Sequence, residues 1–137
     1  MELQRWIDQS TPLPGAPGVR RLDMTLDTWH ECAKDVAASG GRFCALWADG
    51  APAITVFAAL ICEPNVLLLS LELSGTAATY PSLADIFPAA ARMQRAAADL
   101  CGVRARDFDQ RPWLRHGSWP ADYLPLVTET PPIASRE

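Results

Sequence analysis

The side chains able to do chemistry in this sequence are few, and their spacing argues against most reactions. In 137 residues there are two histidines and four cysteines. His30-Glu31 begins like H-E-x-x-H, where two histidines one helical turn apart hold zinc, but the second position is Lys34, which is no ligand. His30 therefore reads as a surface or helix-capping residue. His116, set among proline, arginine and tryptophan, reads as a surface side chain rather than a general base. Cys32, Cys44, Cys62 and Cys101 contain no C-x-x-C pair, and structural zinc and most iron–sulfur sites begin from two close-spaced thiolates. They read as single thiols packing as small hydrophobes. No G-x-S-x-G elbow presents a nucleophile. Gly15 and Gly18 lie among prolines without a buried strand before them, so they are no phosphate loop. The expectation is a chain with no catalytic residue, no metal and no cofactor of its own.

Charge is distributed more informatively than its sum of −4. Residues 1–90 carry five positive and ten negative groups, whereas residues 91–116 carry six arginines against three aspartates. Arginine supplies bidentate hydrogen bonds and packing at protein interfaces, so this segment fits a surface for an acidic protein partner. Two alternatives use the same residues. Trp113 and Trp119 could stack nucleic-acid bases beside the arginines, although the acidic balance disfavours a general nucleic-acid binder. A solvated helix face with local ion pairs, Asp107 and Asp109 included, needs no partner at all. A small enzyme would need a pocket with converging titratable groups.

The elements that must position these groups form one domain. Hydrophobic residues make up 49% of the chain, and a chain of this length buries enough surface for a core without staples. A short helix over residues 1–8 carries Leu3, Trp6 and Ile7 on one side. Residues 11–18, rich in Pro and Gly, read as a turn connection unsuited to helix or sheet. A helix follows, with Trp29, Cys32, Ala33, Val36 and Ala37 at helical spacing. Thr28 and Glu31 fit a capping box at its start, with Thr25 as a competing cap. Gly40-Gly41 ends it.

Strand signals cover 42–48, 52–61 and 66–73, joined by Asp49-Gly50 and Glu63-Pro64-Asn65. Short turns make the three strands antiparallel neighbours. Ser82 and Asp85 have the spacing of a one-turn helix. Pro88 suits a first helical position, and residues 89–101 form an alanine-rich helix that Gly102 stops. Arg95 and Asp99, four apart, can pair on it. Beyond Val103 five prolines break the pattern, and Trp113, Trp119 and Tyr123 sit on an irregular segment. The fold class is α+β: helices on a small antiparallel sheet, a three-stranded meander at its core, and an irregular C-terminal segment. Residues 1–127 are expected to form the domain and 128–137 a mobile tail. The longest apolar stretch, Ala53 to Cys62, is too short to span a bilayer, and no signal peptide is evident, so a cytoplasmic location is expected.

One stretch carries a family pattern. Pro81-Ser82, five residues, then Pro88-Ala89-Ala90, followed by Arg95, Asp99 and Gly102-Val103, resembles the 30 kDa subunit family of respiratory NADH dehydrogenase (complex I), including the related domain of energy-converting nickel–iron hydrogenases. Downstream, Arg111-Pro112-Trp113-Leu114-Arg115 is similar to the family's His-Pro-x-Leu-Arg. Gln94-Arg95-Ala96 stands where the family has Glu-Arg-Glu, and Cys101 where it has Phe. The resemblance implies a cofactor-free accessory subunit beside a large subunit of the 49 kDa or hydrogenase type. Contact with nucleic acid is not implied, and contact with the membrane would be only through the complex. Interface candidates on this reading are Arg92, Arg111, Trp113, Arg115 and Trp119, with Arg95 and Asp99 organising the docking helix.

Overall fold

The computed structural model describes residues 2–50, 53–74, 79–106 and 126. The chain begins with helix α1 (Glu2–Gln9), then strands β1 (Thr11–Pro12) and β2 (Val19–Met24), helix α2 (Leu26–Ala38), and strands β3 (Arg42–Asp49), β4 (Thr55–Cys62) and β5 (Asn65–Glu72). Strand β6 (Thr79–Pro81), helix α3 (Ala90–Cys101) and strand β7 (Arg104–Arg106) complete it. The α+β class and the antiparallel β3–β4–β5 meander are as expected, but the sheet is larger and mixed. It has five strands in the order β1-β2-β5-β4-β3, with β2 parallel to β5.

Two segments therefore differ from the sequence reading. Residues 11–18 are not purely a connection, because Thr11 and Pro12 pair with Arg21 and Arg20 at the sheet edge. Proline is tolerated on an edge strand because no ladder bond is asked of its missing N–H. The pattern likewise does not dissolve at Val103: β7 pairs in parallel with β6 as a second, two-stranded sheet.

Alternation decides which side of the large sheet holds the core. Val56, Ala58 and Leu60 of β4 and Leu67, Leu69 and Leu71 of β5 point to one face and are buried. Leu22 and Met24 of β2 and Leu46 and Ala48 of β3 share that face through the strand register. Helix α2 covers it with Trp29, Cys32, Ala33 and Val36. Each fully buried Leu or Val stabilises the domain by roughly 1.5–3 kcal/mol. Helix α1 joins the same layer through Trp6, whose Nε1–H donates to Asp35 Oδ2 at 2.8 Å. The Arg5 guanidinium lies 4.5 Å above the Trp6 ring and 3.6 Å from Asp35.

The helix ends are set by local chemistry. At the start of α2 the cap is Thr25, with Thr28 as its reciprocal partner, rather than Thr28 with Glu31. The Thr28 N–H donates to Thr25 Oγ1 at 3.3 Å and the Thr25 N–H to Thr28 Oγ1 at 2.9 Å. Glu31 instead lies 3.4 Å from Arg5. At the other end Gly40 adopts φ 85°, its N–H reaching Ala37 O at 3.1 Å while Gly41 N–H reaches Val36 O at 2.8 Å. Those two bonds are the Schellman arrangement.

Candidate functional site

The site is built around α3 and the loop that leads into it. Helix α3 lies along the outer edge of β3. The Leu46 N–H donates to Met93 Sδ at 3.3 Å, and the Cys101 thiol donates to Ala48 O at 3.5 Å. Two backbone groups at the strand's outer edge are thus satisfied by sulfur atoms from a helix. Covering an edge in this way is a common protection against unwanted strand pairing. The small side chains Ala90 and Ala97 are buried beneath the helix, which permits the close approach.

The segment 81–83 works as a latch. Pro81 O accepts the Trp29 Nε1–H at 3.1 Å. Ser82 Oγ accepts the Ala84 N–H at 3.0 Å, but residues 84–86 form a turn and not the expected one-turn helix. Gln94, only 2% exposed, receives the Leu83 N–H on Oε1 at 2.8 Å and donates from Nε2 to Ser82 Oγ at 2.9 Å. A glutamate at this position could accept from both groups; glutamine keeps both bonds by accepting one and donating the other. Asp85, the other half of the expected cap, bonds instead to His30 Nε2 at 2.9 Å. His30 thereby ties the start of α2 to the loop before α3. Replacing Gln94 with Ala removes the acceptor of a buried N–H, and the expected loss is about 1–3 kcal/mol, read as a lower urea midpoint at unchanged m-value.

The charged candidates separate by burial. Arg92 is exposed on α3, Arg95 is half-buried, and Asp99 is buried, so the helix is not simply a solvated charged face. Arg111, Trp113, Arg115 and Trp119 lie outside the described residues. Of the four thiols, Cys32, Cys62 and Cys101 are buried and Cys44 is exposed at the irregular register of β3. Burial, reinforced by Cys62 and Asp35, pushes the Cys32 thiol up to about 12. Burial also raises Cys62, and raises Cys101 with help from Asp49. These thiols hold their protons at neutral pH, which makes them packing groups as they stand. Among the described residues no three His, Cys, Asp or Glu side chains come together as a metal site. No helix among them is long and apolar enough to cross a membrane.

Sequence reasoning missed the second face of the large sheet. Trp47 of β3 and Phe57 of β4 are cross-strand partners there, stacked at 5.4 Å with 20° between their planes. Ala45, Ala59 and Leu68 form the next row, and Ile61 and Val66 the one after. The signal was present in β4 and β5, where both alternating sets of residues are largely apolar. Such strands are usually covered on both sides.

Comparison with known proteins places this architecture. Residues 19–135 match the family model described as respiratory-chain NADH dehydrogenase, 30 Kd subunit. Among curated proteins no sequence matches the chain. Solved structures share its fold, two of them as follows. The trypsin-resistant fragment (1-134) of Nqo5 is 14% identical, with 81% of this chain and 98% of that one covered and a TM-score of 0.63. A chain of the membrane-bound sulfane sulfur reductase, an archaeal respiratory membrane complex, is 17% identical, with 82% and 72% covered and a TM-score of 0.65. The matched region begins at β2 and takes in strands β2 to β7, the latch and α3, so the chain belongs to the respiratory-chain NADH dehydrogenase 30 kDa subunit family.

Proposed function

We propose that this chain is a cofactor-free accessory subunit of an NADH:quinone oxidoreductase or a related membrane-bound hydrogenase complex. In this role it docks on the large subunit and supports electron transfer without catalysing it. The observation that carries the reading is the family match over residues 19–135. The chemistry of the described residues agrees with it, since buried polar groups around α3 are spent on internal hydrogen bonds. Ser82 and Gln94 hold the latch, and the buried thiols pack. Arg92, Arg111, Trp113, Arg115 and Trp119 are the proposed contacts to the large subunit, with Arg95 and Asp99 holding α3 in place for them. On the same reading residues 1–127 act as one domain on the cytoplasmic side, peripheral to the membrane.

The test is co-purification from the native cell. An affinity-tagged full-length chain, extracted from membranes in mild detergent, is expected to bring down one large metal-bearing subunit in equal amount. Recovery of the chain only as a lone soluble monomer would sink the proposal.

A further inference from the structure

We infer that the outward face of the five-stranded sheet is a second docking surface, which takes an amphipathic, Lys- or Arg-bearing segment of the large subunit. This rests on the accessory-subunit reading and adds to it a surface remote in sequence from the arginine-rich segment. The first support is the wrong polarity for a solvated face. An antiparallel sheet with one wet side places polar residues there, yet this side presents the Trp47–Phe57 stack, Ala59, Ile61 and Leu68. Trp47 is 42% exposed. The helix contacts of the described residues fall on the opposite face, through α1 and α2, or along the β3 edge, through α3. Apolar patches rimmed by polar groups mark interaction sites.

The charge of the rim selects the occupant. Beside Phe57 lies a depression of about 480 Å³; among the described residues that line it, Asp23, Asp49 and Glu72 stand against a single cation, Arg21. Arg21 is already engaged by Asp23 at 3.2 Å and by Ser70 at 3.3 Å. A lysine or arginine entering here lays its aliphatic stem on Phe57 and brings its charged end to Glu72. The partner segment is therefore apolar over Trp47, Ala59 and Leu68, and cationic where it crosses the β4–β5 end of the sheet at Glu72.

Photo-crosslinking in the assembled complex tests this. The tagged full chain carries Trp47→p-benzoylphenylalanine, with Lys34→p-benzoylphenylalanine on the exposed side of α2 as the control position. Crosslinked peptides are identified by mass spectrometry. The expected result is a crosslink from position 47 to a Lys- or Arg-containing peptide of the large subunit, absent from position 34. Glu72→Arg is expected to lower the large subunit recovered per chain by roughly tenfold or more, because like charges then meet across the contact. Trp47→Ala is expected to weaken the contact about 30-fold, as for an aromatic anchor. If the large subunit is recovered but position 47 crosslinks to residues 107–137 of its own chain, to a second copy, or to nothing, this inference falls and the accessory-subunit reading stands. If no large subunit is recovered, both fall.

Discussion

Trp29→Ala lowers the stability of the domain by about 3–5 kcal/mol, the range for removing a large aromatic from a packed core. The indole is fully buried on the inner side of α2 and makes two directional contacts besides its packing. Its ring meets Tyr80 edge-on at 6.0 Å and 80°, and its N–H donates to Pro81 O at 3.1 Å. Truncation leaves a void, removes the aromatic pair and removes the hydrogen bond to Pro81 O in a single step. Tyr80 and Pro81 lie in β6, immediately before the Ser82–Leu83 latch to α3, so the loss falls on the joint between the two sheets. Urea denaturation followed by far-ultraviolet circular dichroism measures it. Trp29→Phe separates the contributions: it keeps an aromatic ring in place but loses the N–H, and about 1–2 kcal/mol is expected. If Trp29→Ala costs less than Trp29→Phe, the packing account is wrong.

The second large effect is expected at Gly41, and it contrasts with its neighbour. Gly40 needs glycine for its backbone, since φ is 85° and a Cβ there would meet nothing within 4 Å. Gly40→Ala should therefore cost only the left-handed penalty of about 1–2 kcal/mol. Gly41 has no unusual φ, but a Cβ would collide with Val36 Cγ1 and lie 2.8 Å from Val36 O and 3.1 Å from Ile61 O. Two of the three obstacles are backbone, one in the last turn of α2 and one in β4, and neither can swing aside as a side chain does. Gly41→Val is expected at or above the upper end of the ~1–3 kcal/mol that overpacking costs. The same urea experiment ranks the pair, and a Gly40→Ala variant less stable than Gly41→Val would overturn the assignment.

The glycine pair illustrates how much of the fold was legible in sequence. That α2 stops at residues 40–41 followed from glycine's tolerance of left-handed backbone, a local property. That Gly41 is needed for room, not for φ, depends on Ile61, twenty residues away. The meander was legible for the same local reason: Val56, Ala58 and Leu60 alternate within one strand, and the Glu63-Pro64 turn leaves no space for a crossover. Strand β2 was not read from the sequence, since its alternation rests on only two apolar positions, Leu22 and Met24, interleaved with Arg21 and Asp23. Its partner is β5, which it meets at Val19↔Val66 through Met24↔Leu71. Strand β7, Arg-Ala-Arg, carries almost no pattern and exists through its pairing with β6.

The candidate site divides in the same way. The family motif around Pro81-Ser82 and α3 was visible in the chain, and the match over residues 19–135 agrees with it. What the motif does was not visible. Ser82 and Gln94 are twelve positions apart, and only packing of α3 against the loop brings Nε2 to Oγ at 2.9 Å. His30 and Asp85, each read separately as a surface or capping residue, become partners across 55 positions.

By itself the sequence determined the elements whose signals are local: helix stops, the turn between strands, and the apolar alternation that buries one side of the meander. It also determined the family, because a motif is a pattern along the chain. Tertiary structure decided the parallel joining of β2 to β5, the second sheet, the burial of Gln94 and Asp99, and the assembly of Trp47, Phe57 and Leu68 into one apolar face. Those outcomes are set by contacts between residues far apart, and the spacing of residues along the chain is the same whether or not such contacts form.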